Sequence, residues 1–104
     1  MYPNHNITIV FEKKKGTGRK FFNSLIDNIK FKDVEYFRDD MLVYMCLKDG
    51  TEYKLVIANE TSRGHRCTDV YIQNGIEKNI IDCVILPTCY PHKNSSDPSI
   101  TYFD

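Results

Sequence analysis

A chain of 104 residues is the size of one domain, and 41% apolar with 27% charged residues is an ordinary globular composition. Fourteen basic and fourteen acidic side chains cancel, which excludes a global field that would gather nucleic acid or a membrane surface. No run approaches the roughly 20 apolar residues that a membrane span requires.

The opening MYPNHNITIV has no basic segment ahead of an apolar one, so it does not read as a secretory signal. A cytoplasmic location is the expectation, and the N-x-S/T triplets at Asn6, Asn59 and Asn94 read as incidental. Cys46, Cys67, Cys83 and Cys89 are then expected as free thiols or metal ligands; in an oxidising compartment they would allow two disulfides. The Asn/Lys/Ile-rich, tryptophan-free composition is that of AT-rich coding sources such as many phages or low-GC bacteria.

Ile7, Ile9 and Phe11 alternate with Thr8, Val10 and Glu12, which predicts a strand. The loop KKKGTGRK follows. Phe21, Phe22, Leu25, Ile26 and Ile29 then form one apolar stripe of a helix over residues 19–30, with Lys20, Asn23, Asp27, Asn28 and Lys30 on its opposite side. From Val34 the period changes to two, and VEYFR, MLVYMCLK and TEYKLVIA read as three strands.

Asp49-Gly50 predicts a tight type I′ hairpin between the last two strands. That turn would set Leu42 opposite Ile57, Tyr44 opposite Leu55 and Cys46 opposite Tyr53. TDVYIQ and IEKNIIDCVIL, joined by Asn74-Gly75, read as a second hairpin. Ile80-Ile81 and the run CVIL break its alternation, and a bulge, a strand buried on both faces or a short helix would each account for this. Residues 87–104 hold three prolines and a polar cluster and read as an irregular tail, in which ITYF can add a last short strand.

The expected fold is therefore a single α+β domain over residues 1–104. It has an antiparallel-rich sheet of about five or six strands with one amphipathic helix on one face, in the order β-α-β-β-β-β-β. One helix of about 12 residues, roughly 18 Å long, cannot cover both faces. The second face is then covered by the tail or left as an apolar interface of Val34, Tyr36, Val43, Met45 and Val56, which would also permit a homodimer.

Strand alternation in this topology brings several basic segments to one pole. They supply Lys13, Lys14, Lys15, Gly16, Gly18, Arg19, Lys20, Arg63, His65 and Arg66 as a phosphate- or partner-binding surface, joined by His92 and Lys93. Glycines allow close backbone approach and a helix N-terminus favours an anion. GTGRK matches neither nucleotide-binding glycine fingerprint.

His65, Cys67, Cys89 and His92 have the chemistry for a tetrahedral zinc site. No cofactor is otherwise implied. Cys67 beside His65 and Arg66 lacks the third group that orients a nucleophile's base, and Asp39-Asp40 reads as a turn, so no enzyme is expected.

The expected function is that of a small non-catalytic binding protein acting on a protein partner. The composition makes a phage- or mobile-element-encoded inhibitor of a host defence or nucleic-acid enzyme its natural example, acting in the host cytosol. The alternative is a nucleotide or nucleic-acid binder that holds phosphate on the basic loops.

Overall fold

The computed structural model describes residues 6–40, 42–59, 62, 65–91 and 97–104. Its strands are β1 (Ile7–Glu12), β2 (Val34–Asp39), β3 (Val43–Leu47), β4 (Glu52–Ile57), β5 (Asp69–Gln73) and β6 (Ser99–Phe103). The helix α1 is Arg19–Ile26, and α2 begins at Lys78–Ile80 and continues through a π-helical turn, Ile81–Ile85, into a 3-10 turn, Leu86–Thr88. A further 3-10 turn, Phe31–Asp33, leads into β2. Among the described residues no helix is long and apolar enough to cross a membrane.

The strands form one sheet in the order β2-β3-β4-β1-β5-β6. The domain is α+β as expected, but the sheet is mixed. β1 pairs in parallel with both β4 and β5, and β5 in parallel with β6, while β2-β3 and β3-β4 are antiparallel. Each strand read from the sequence through TDVYIQ is present, as β1 to β5, and the reading fails at the strand expected to return after β5. Asn74-Gly75 is a turn, with Gly75 at φ 96°, but it opens α2 instead of a return strand. The broken alternation at Ile80-Ile81 is helical, the short-helix option among those that the pattern left open. Of the expected tail, Pro87 and Thr88 end the 3-10 turn, Cys89 bridges Cys67, and ITYF lies in β6 as the last strand that the sequence allowed.

Parallel pairing requires crossovers. From β1 the chain leaves through α1 toward β2, whereas β4 and β5 send theirs the other way across the sheet. Crossovers of one hand that run in opposite directions must lie on opposite faces, so helices cover both. On one face α1 sets Phe22, which is fully buried, among Val10, Val43, Leu55 and Phe103. Phe21 stacks on Phe103 with ring centroids 4.1 Å apart. On the other face Ile85 of the helical segment 78–88 packs with Ile7, Ile9, Phe11, Val56, Val70 and Ile72. All six residues of β1 are buried. The helix stops at Ile26, short of the predicted residue 30.

The β3-β4 turn differs from expectation by one residue. Leu47 N–H donates to Thr51 O at 2.8 Å and Gly50 N–H to Leu47 O at 3.0 Å, closing a loop of Lys48, Asp49 and Gly50 with Gly50 at φ 94°. Val43 therefore faces Leu55 and Met45 faces Tyr53. A slip of one residue turns every side chain of β3 to the other face. Val43 and Met45 lie on the α1 side at 7% and 8% exposure, while Val56 belongs to the opposite cluster. The expected apolar interface is thus divided between two faces, and only Tyr36 of its members is exposed, with Val34 half-buried.

Phe22→Ala removes the residue that joins α1 to the sheet. Chemical denaturation should show a loss of about 3–5 kcal/mol, with the native spectrum retained if the other face keeps its packing.

Candidate functional site

The carboxyl ends of β1, β4 and β5 share one edge of the sheet, and the loop KKKGTG emerges there. Its backbone does form an anion cradle. The N–H groups of Gly16 and Gly18 point at one oxygen, Glu12 Oε1, at 2.9 and 3.0 Å. The cradle is therefore filled by the chain's own carboxylate. Glu12 is 4% exposed, and a Cβ on Gly18 would stand 2.8 Å from the Glu12 Cβ. Only glycine permits so close an approach. No side chain caps α1, and the Glu12 contact to Gly18 supplies the anionic partner that its first turn lacks.

Gln73 fills the adjoining space between β1 and β5. Its Oε1 accepts from Lys13 N–H at 2.7 Å and from the Thr17 hydroxyl at 2.8 Å, and its Nε2 donates to Thr17 O at 3.3 Å. Arg19 is also engaged. Its guanidinium grips Asp39 through two hydrogen bonds of 3.1 and 2.8 Å, and its Nε donates to Asn23. The bond from Arg19 holds the Asp39 carboxyl below its usual range, an effect that burial and Asp40 oppose in part. Lys13, Lys14, Lys15 and Lys20 remain exposed at this edge. Lys13 and Lys14 border a cleft of about 320 Å³ whose wall includes Asn59, Gly75, Ile76 and Ile80.

His65 and Arg66 do not join them. They precede Thr68, whose N–H donates to Ile7 O at 2.8 Å at the start of β1, because β5 runs parallel to β1. The single cationic pole is accordingly split. Residues 13–20 sit at one edge, and the segment through His65 leads to Cys67 at the other. Burial and the nearby charge of Lys54 lower the His65 pKa, and the Arg66 guanidinium lies 6.0 Å over the Tyr90 ring. Arg63, His92 and Lys93 lie outside the described residues.

Of the residues with metal-ligand chemistry, Cys67 and Cys89 come together with Sγ atoms 3.7 Å apart. Among the described residues they gain no third His, Cys, Asp or Glu partner. None of the four cysteines is in a disulfide. Cys67 donates to Cys89 and is fully buried, which pushes its pKa well above the ordinary thiol range. That is the reverse of an activated nucleophile.

At the far edge of the sheet, β2 is exposed from Glu35 through Asp39. Tyr36 and Phe37 point to opposite faces at 48% and 45% exposure, and Phe31 in the preceding turn is 92% exposed. On the side of the sheet that the segment 78–88 covers, but outside the part it reaches, Tyr36 meets Tyr44 at 6.0 Å, and the Tyr44 hydroxyl donates to Glu52 at 2.7 Å. Lys54 Nζ stands 5.7 Å from the same ring.

Glu12, Gln73, Phe31 and Phe37 were not singled out from sequence. Glu12 had a signal, since a carboxylate four and six residues before two glycines can fold back on their amides. Phe37 lies out of phase with Val34 and Tyr36, the alternation followed along that strand.

Glu12→Ala leaves two amides of the loop without their acceptor and should cost about 2–4 kcal/mol in urea denaturation, whereas Lys15→Ala should stay within about 0.5 kcal/mol. Asp39 has a folded pKa below its ordinary 3.8, so its contribution is present above that pH and is lost as pH falls through the folded value. The melting temperatures of wild type and Asp39→Asn should differ at neutral pH and converge in acid.

No family model, curated protein or solved structure matches the chain.

Proposed function

We propose that this chain is a small non-catalytic binding protein that occupies a partner protein's surface through the β2 edge. One observation carries the reading: a six-residue edge strand, exposed along Glu35–Asp39, with Phe31, Tyr36 and Phe37 exposed beside it. Aromatic side chains supply large contact area at low entropic cost and dominate interface energetics. An edge strand also offers a row of backbone donors and acceptors for β-augmentation. Glu35 and Arg38 within the strand, and the register shift between Val34 and Tyr36, oppose indiscriminate strand addition. Selectivity for one partner is the consequence.

The raised Cys67 pKa supports a non-catalytic role for that thiol. Inhibition of a host enzyme by a mobile-element protein is the form of this function that the composition favours.

A second reading, phosphate binding at the basic edge, has its own observation. The cleft bordered by Lys13 and Lys14 lies beyond the carboxyl ends of three adjacent parallel strands, where open sheets commonly take ligands. Glu12 has already taken the loop amides and Asp39 has taken Arg19, so exposed lysines alone would hold the anion.

The two separate by salt and by substitution. Affinity capture from a host-like lysate, with and without nuclease, supplies the partner for titration. If β2 carries binding, the captured protein survives nuclease and its Kd changes little between low and moderate salt. Phe37→Ala then weakens it by about 30-fold, as expected for an aromatic anchor worth roughly 2 kcal/mol. Steep salt dependence, with loss on Lys13→Ala/Lys14→Ala and none on Phe37→Ala, would instead establish phosphate contact.

A further inference from the structure

We propose that Cys67 and Cys89 form a dithiol site that closes to an intramolecular disulfide by exchange with a small anionic disulfide of the oxidised-glutathione class. The two residues lie 22 positions apart in sequence and are held together by the backbone. Cys67 and Cys89 face each other in an isolated parallel bridge. Cys67 N–H donates to Thr88 O at 2.9 Å, and Tyr90 N–H donates to Cys67 O at 2.8 Å. A bridge of this kind fixes its Cα atoms near the inter-strand spacing of about 4.8 Å, inside the 4.4–6.8 Å range that a disulfide tolerates. The Sγ atoms, 3.7 Å apart, need side-chain rotation and no backbone rearrangement to bond.

The two sulfurs have different roles. Cys67 is fully buried and Cys89 half-buried. Cys67 donates its S–H toward Cys89, and that bond favours the Cys89 thiolate, with Thr88 assisting and burial opposing. Cys89, the less buried of the two, is the sulfur that a reagent from solvent reaches and is the attacking group. The residues on either side of it, Thr88 and Tyr90, line a cleft of about 320 Å³ together with His65, Arg66, Pro87 and the exposed Cys83. Exposed Arg66 gives this cleft a positive charge suited to an anionic reagent.

The chemistry balances in two displacements. The Cys89 thiolate attacks one sulfur of RSSR, forming Cys89–S–SR and expelling RS⁻. The Cys67 thiol gives up its proton and its sulfur attacks Cys89 Sγ, breaking the Cys89–SR bond and expelling a second RS⁻. The two protons lost by the cysteines pass through water to the two thiolates. The protein dithiol is oxidised by two electrons, and RSSR is reduced to two RSH. The new bond fastens the crossover at Cys67 to the chain leaving the helical segment 78–88, closing a loop across one face of the sheet.

The test uses the full-length folded chain in oxidised glutathione, followed by acid quench, alkylation and peptide mapping. The expected product is a Cys67–Cys89 linked peptide, with no internal link to Cys46 or to exposed Cys83. The melting temperature should rise by about 10 °C, the order expected for closing a loop of this length in a small domain, and dithiothreitol should reverse the rise. Cys89→Ser should abolish both changes. Mapping of the wild-type protein decides the matter even if that variant folds poorly. The proposal is overturned if both Cys67 and Cys89 remain alkylated after Cys83 has reacted fully, or if either is linked internally to a different cysteine.

Discussion

β1 has no free side. Strands flank it in parallel on both edges, and every one of its six residues is buried. A strand in that position needs apolar cover above and below, and parallel neighbours can be reached only by crossovers that carry the chain over a face. One requirement supplies the other. The crossover from β1 places Phe22 on Val10, and the crossover from β5 brings Ile85 to the cluster around Ile9 and Phe11. The same direction of travel collects the carboxyl ends of β1, β4 and β5 at one edge, where the basic loop emerges.

At that edge the electrostatics are largely settled within the chain. A strand that ends in Glu12 and turns through Gly16 and Gly18 folds its own carboxylate into the amide cradle that a phosphate would otherwise enter. Arg19 is drawn to Asp39 by the arrival of β2 at the same edge. The lysines remain as a solvated fringe, screened by salt and distributed about a cleft that also includes Glu77. Such a fringe gives solubility and weak attraction more readily than a defined ligand geometry. The large exposed apolar side chains lie elsewhere, Phe31, Tyr36 and Phe37 at the β2 edge and Ile100 and Tyr102 on β6, and the β2 group is the surface on which the proposed partner contact rests.

The sequence made local structure legible and left direction undetermined. Alternation in VEYFR and TEYKLVIA located strands, and the Phe21–Ile26 stripe located α1, because each pattern reports burial of a single element. Asp49-Gly50 announced a reversal, but glycine at positive φ satisfies a three-residue loop as well as a two-residue one, and that ambiguity reassigned Val43 and Met45 to the other face. Asn74-Gly75 carried the same ambiguity one level higher, since a glycine turn can begin a helix as easily as a return strand. Nothing local in residues 58–68 tells whether the chain turns back at once or crosses the sheet first. The site followed the topology: the sequence grouped His65 with residues 13–20, and the parallel course of β5 separates them. The pairing of Cys67 with Cys89 was legible only as one option among several, because it depends on the parallel return of β5.

The middle of the sheet and its β2 edge are built to different standards, and this bears on what each can do. From β1 through β5 the face opposite α1 is closed by the segment 78–88 and by Cys67, Thr68 and Thr88, all buried and hydrogen-bonded. The β2-β3 hairpin has α1 over Val43 and no helix over Tyr36 and Tyr44. Sparse apolar contact and exposed backbone bonds define the elements that open most easily, and β2 has both. An edge able to adjust by small local openings can mould to a partner strand without disturbing the double-sided core beneath β1. A covalent bond between Cys67 and Cys89 would stiffen the closed half and leave β2 as it is, so oxidation should change the protein's lifetime more than its affinity.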